Sequence, residues 1–90
     1  MRKTYFKAWH NEGLSNLTTK AFADYCSRLK KVERVLRIDL DKVPLSSSNR
    51  VLEAIQEKNF PKLSKEVLSD CKSGVRKYWE FRKYMRKTFG

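Results

Sequence analysis

Leu17, Ala21, Tyr25, Leu29, Val32 and Leu36 recur at intervals of four, four, four, three and four residues. A strand would show its apolar side chains every second residue. A run with this spacing therefore fits only an amphipathic helix, expected over residues 17–36. The chain has 90 residues, enough for one domain, and a domain of that size buries little more than about 60% of its unfolded surface. Nearly every apolar side chain is needed for one core, and this helix is its spine.

Three further helices account for the rest of the pattern. Tyr5, Phe6 and Trp9 mark a short first helix over residues 4–12, with Gly13 placed to cap its end. Ser15 to Thr18 offer N-caps for the second. Ile38, Leu40, Val43 and Leu45 then alternate with charged residues around Pro44. A lone strand has nothing to pair with, so this segment reads as a connection that plugs the core. The serines at 46–48 suit the cap region of a third helix over 47–58, which carries Val51, Leu52 and Ile55. Asn59 to Leu63 form a turn, and Ser64 caps a last helix over 65–87. The expected fold is all-α, a compact bundle of four helices with no repeat or domain boundary.

Charge adds the functional constraint. Lys and Arg number 21 against 10 acids, a formal net charge of +11. Within residues 72–87 there are seven Lys or Arg, and Glu80 is the single acid. At about 100° per residue, Val75, Tyr78, Trp79, Arg82 and Met85 fall on one side of the last helix and Lys72, Arg76, Lys83 and Lys87 on the other. A disordered basic tail has few aromatics and no such segregation. Charge this far from neutral works against compactness by self-repulsion, which points to a polyanionic partner. No apolar run approaches the roughly 18 residues of a membrane span, and no signal-peptide core follows Arg2 and Lys3. A cytoplasmic protein without membrane association is expected.

Catalytic constellations are scarce. Cys26 and Cys71 lie singly within helical patterns and read as small core side chains. His10 has no partner at i+4 for a metal and reads as a polar residue near a helix end. Asp39 and Asp41 could hold a cation with help, but an Asp-x-Asp pair in a loop more often caps a turn. Gly13, Gly74 and Gly90 are isolated, so no phosphate loop exists. The expectations are no catalysis by this chain alone, no cofactor, no metal and no small-molecule ligand.

Nucleic-acid binding asks only for cations on a rigid support. A duplex presents one charge per about 1.7 Å of its axis, and a helix fixes Lys and Arg at a constant pitch against it. The outward side of the second helix carries Lys20, Ser27, Lys31 and Arg34, with Arg28 at its edge. That of the last carries Lys65, Ser69, Lys72, Arg76 and Lys83. Tyr78 and Trp79 could stack on single-stranded bases, though aromatics at this spacing are more often core.

The order of these pieces resembles the N-terminal core-binding, SAM-like domain of tyrosine recombinases, the phage-integrase family. The resemblance runs through Tyr5-Phe6-Lys7-Ala8-Trp9, the Gly13-Leu14-Ser15 turn, Tyr25 with Leu29 four residues on, and Val75-Arg76-Lys77-Tyr78-Trp79. It departs at Ala21, where the family often has Thr. The resemblance implies a bacterial or phage-encoded protein that clamps double-stranded DNA with its second and fourth helices. By position the contacts would be Lys20, Arg28 and Lys31, then Lys65, Ser69, Lys72 and Arg76. Lys83 extends the same row. It also implies, as partner, a C-terminal catalytic domain in a longer parent protein, since the family's chemistry resides there and not in these residues.

Two other readings share the same charge. A small basic bundle can dock an acidic protein, for example as a phage regulator of a host enzyme. RNA or single strands could be bound through exposed aromatics, which requires Trp79 to be accessible.

Overall fold

The structure, a computed structural model, describes all of residues 1–90. It is all-helical: α1 (Lys3–Asn11), α2 (Thr19–Leu36), α3 (Ser48–Ala54) and α4 (Lys65–Phe89), with one 3₁₀ turn at Leu45–Ser47 leading into α3. No helix is long and apolar enough to cross a membrane.

Local chemistry sets the helix boundaries. α1 ends where Gly13 takes φ +80° and its N–H reaches His10 O. Asn16, also left-handed at φ 58°, completes the turn. Thr18 caps α2 by accepting Ala21 N–H at 3.1 Å, and Ser64 caps α4 by accepting Val67 N–H at 3.3 Å. Arg37 closes α2 in the left-handed region at φ 56°.

Three sequence expectations need correction. Leu17 precedes the cap of α2, and the buried side of that helix is Phe22, Cys26, Leu29 and Val32. Ala21 and Tyr25 are only half-buried. The stripe is turned by one residue because Phe22 offers far more apolar area than Ala21 and takes the core position. α3 ends at Ala54 and not at residue 58. Ile55 leaves the helix to bury its side chain, and the Ala54 carbonyl accepts Gln56 N–H at 3.1 Å and Asn59 Nδ2–H at 2.8 Å. Ser47 holds the N-cap position of α3, as the serine run implied, but no serine side chain makes a capping hydrogen bond, and a 3₁₀ turn leads into the helix instead.

α4 is the element against which the others pack. Gly74 faces α2, where a Cβ would lie 3.6 Å from Leu29 Cγ and 3.7 Å from the Tyr25 carbonyl oxygen. α3 packs on another side of α4. α1 brings Phe6 into an aromatic cluster with Phe22, Tyr78 and Phe81 at centroid distances of 4.8–5.3 Å. Each such pair contributes about 0.5–1.5 kcal/mol beyond its burial. The connection from α2 to α3 fills the remaining gap. Leu40 is fully buried, and Ile38, Val43 and Leu45 pack against the core, as the alternation implied.

Candidate nucleic-acid interface

α4 uses its inner side to fasten the connecting loops. Tyr78 donates its hydroxyl to Asp41 Oδ1 and accepts Arg2 N–H at 2.8 Å. Burial first, and then the bond to Asp41, push the Tyr78 hydroxyl far above the usual tyrosine range. Trp79 Nε1 donates to Leu45 O at 2.9 Å. The Arg82 guanidinium lies over the Trp79 ring, 4.7 Å from its centroid, and donates to Val43 O and Asp41 O. Tyr78 and Trp79 are buried, so neither ring is free to stack on a base.

The remaining singled-out residues have structural partners. Cys26 and Cys71 are buried free thiols, and burial raises both above the ordinary thiol range. His10 stacks on Phe22 at 4.2 Å, and its Nδ1 lies 2.6 Å from Ser15 Oγ, which also accepts Leu17 N–H. Ser15 is fully buried, so the pair pins the turn between α1 and α2. Asp39 and Asp41 join Glu33 around the Met1 ammonium, at 3.3, 3.3 and 2.9 Å. Asp39 also accepts Asp41 N–H. That bond, followed by the Met1 charge, holds its carboxyl below the usual range.

The outer side of α4 carries the cations. Lys65, Ser69, Lys72 and Arg76 line a recess against Ile55, Gln56 and Glu57. Arg76 also lines a second recess, with Lys83, beside Ser48 and Leu52 of α3. The row from Lys65 to Lys83 extends about 27 Å at 1.5 Å per residue. Lys65, Lys72, Arg76 and Lys83 lie within about 20° of directly opposite Gly74. Because Gly74 faces α2, this row borders α3 and points away from α2.

The candidates on α2 therefore do not share that surface. Lys20 is exposed within about 20° of directly opposite Leu29, which contacts α4. Arg28 and Lys31 are half-buried near Cys71, whose thiol their charges act to lower. Arg28 Nε is buried there without a hydrogen-bond partner. The structure thus joins five of the eight candidates, Lys65, Ser69, Lys72, Arg76 and Lys83, along one edge. It sets Arg28 and Lys31 at the seam between α2 and α4, and Lys20 beyond it.

A second cationic group was missed in the sequence. Lys3 and Lys7 of α1 and Lys30 of α2 gather near Cys26. Lys3 lies beside Lys30 and, by donating to its neutral amine and repelling its charged form, holds it below the usual lysine range. The spacing of Lys3 and Lys7 was the available signal, but only the docking of α1 on α2 brings Lys30 to them. Across the molecule, Lys77 is the one Lys or Arg that forms an ion pair, with Glu80 at 3.0 Å. Every other Lys and Arg lacks a carboxylate within ion-pair distance.

Comparison with protein-family models, with curated proteins and with solved structures finds no match for this chain.

Proposed function

We propose that this protein binds double-stranded DNA through its phosphates, using the α4 edge from Lys65 to Lys83. The observation that carries the reading is the lack of internal neutralisation. A protein with 21 basic residues leaves all but Lys77 without an acidic partner, and sets four of them in a row on its longest helix. Unpaired cations retain their full attraction for a polyanion, and binding gains further from release of condensed counterions. Ser69 adds a neutral donor within the same recess. Side chains of these types hold phosphates and set position on the duplex; sequence reading would require base contacts in addition. The resemblance to phage-type integrases gives the reading a specific form, the DNA-clamping module of a site-specific recombinase.

The test is a fluorescence-anisotropy titration of a generic duplex over a range of salt. Affinity should fall linearly on a log–log plot, with a slope of roughly −0.9 for each phosphate neutralised. Arg76→Ala and Lys72→Ala should each weaken binding and flatten the slope by about one unit, with the helical signal unchanged. Unaltered affinity and slope in both variants would remove α4 as the binding edge. A recombinase role further predicts a preferred site, read as protection of one short segment in a footprint of the protein's own genomic neighbourhood.

A further inference from the structure

Two groups of cations face away from each other, with Arg28 and Lys31 at the seam between them. On α4 the row of Lys65, Lys72, Arg76 and Lys83 lies opposite Gly74, the residue that faces α2. On the far side, Lys3, Lys7 and Lys30 gather where α1 docks on α2. Lys20 and Arg34 are exposed on the same helix, within about 40° of directly opposite Leu29. Two packed helices with their side chains span about 20 Å, so the two edges are separated by the width of the bundle. The surface between them is mixed in charge. Asp70, exposed and about 40° round α4 from Gly74, lies at the seam with the half-buried Arg28 and Lys31, and Glu66 is exposed one turn before it.

A straight duplex can lie against only one of these edges. The bundle measures 37 × 28 × 16 Å between its Cα extremes, far smaller than the roughly 150 base pairs over which DNA bends freely. One short duplex therefore cannot turn around it to reach the other side. The α1–α2 edge nevertheless keeps Lys3 and Lys30 together with no carboxylate within ion-pair distance, so an anion seated there would relieve their repulsion.

We propose that the bundle joins two duplex segments, one along the α4 edge and one along the α1–α2 edge. This rests on the DNA-binding reading above and adds a second seat for the same ligand class. Charge on the two edges acts independently. Loss of one edge abolishes joining and leaves binding to a single duplex at the other.

The experiment uses the full chain and two short duplexes of generic sequence, one carrying a donor dye and the other an acceptor, present together in twofold molar excess at low salt. Energy transfer reports joining, and sedimentation counts duplexes per chain. The expected result is transfer together with complexes of one chain and two duplexes. Arg76→Glu with Lys83→Glu, and separately Lys7→Glu with Lys30→Glu, should each still bind one duplex by anisotropy and lose the transfer. These four side chains are exposed except for the charge contacts described, and a thermal melt confirms folding. Saturation of the unaltered chain at one duplex without transfer would overturn the proposal. So would transfer that persists in either double variant, or transfer carried only by large aggregates. Absence of binding by every form would instead overturn the DNA reading itself, and joining with it.

Discussion

Replacing Tyr78 by Phe removes a single oxygen that serves two partners. The hydroxyl donates to the Asp41 carboxylate and accepts the N–H of Arg2, the residue that precedes α1. The ring itself would stay in place, edge-on to Phe6 at 5.0 Å and beside Phe81 at 5.4 Å, so no cavity of consequence opens. The loss is polar. A hydrogen bond to a charged group contributes about 1.5–3 kcal/mol and one between neutral groups about 0.5–1.5 kcal/mol. Asp41 keeps the Met1 ammonium at 3.3 Å on its other oxygen and retains some access to water, which favours the lower halves of both ranges. The expected destabilisation is about 2–3 kcal/mol. In a domain of this size that corresponds to a drop in Tm of roughly 10–20 °C. Urea unfolding followed by far-UV circular dichroism measures it, with the m-value unchanged because the surface exposed on unfolding is the same. A loss smaller than about 0.5 kcal/mol would refute the argument that this hydroxyl ties α1 and the α2–α3 connection to α4. The substitution touches neither cationic edge and should leave duplex affinity unaltered.

Three further predictions follow from backbone and charge. Gly74→Ala should stabilise the fold by about 0.5–1 kcal/mol, since the added Cβ meets Leu29 at an ordinary 3.6 Å and mid-helix Gly is the poorer helix former; destabilisation in a urea titration would mean that the α2–α4 contact is tighter than this spacing. Arg37→Gly should raise stability by about 0.5 kcal/mol, because relief of the left-handed conformation at φ 56° exceeds the added chain entropy of Gly; a lower Tm would refute it. The Met1 ammonium is raised above its ordinary value of 8.0: burial opposes the shift, but Glu33, Asp39 and Asp41 outweigh it. A raised folded-state value means stability that is complete below pH 8 and is lost as pH rises through the folded value, so unfolding midpoints should fall on the alkaline side, and less so in Glu33→Gln.

The parts of this fold legible in the sequence were those set by local periodicity and by caps. The last helix, its inner side with Arg82 among the apolar residues, the Ser64 cap and the plugging role of Leu40 all follow from residue spacing. Positions set by competition between neighbours were not legible. Ala21 and Phe22 both fit an apolar stripe, and only packing against α1 and α4 decides that the larger ring goes inward. Ile55 fits a helical pattern too, but its side chain is buried just beyond the end of α3, where Gln56 and Asn59 fold back onto the Ala54 carbonyl. The cationic row of α4 was visible because it lies on one helix. Its separation from Lys20, Arg28 and Lys31 depends on which side Gly74 presents to α2, and one sequence carries no signal for that. The Lys3, Lys7 and Lys30 group escaped for the same reason, since it spans two helices.

The placement of the acids shapes the surface as much as the number of bases. Three of the ten carboxylates gather on the Met1 ammonium, and a fourth, Glu80, takes Lys77. The cations that face inward are used differently. Arg82 and Lys77 donate to the carbonyls of Val43, Asp41 and Ser15, tying loops down without consuming further acids. What stays outside is a surface whose Lys and Arg have no internal counter-charge, held on a core of interlocked aromatic rings that does not depend on ion pairs for cohesion. Self-repulsion on that surface opposes folding, and a polyanion lying along it relieves the repulsion. Added salt therefore acts in two opposite directions here. It screens Lys3 from Lys30 and the members of the α4 row from one another, which steadies the fold, and it competes with phosphates for the same side chains, which loosens the complex.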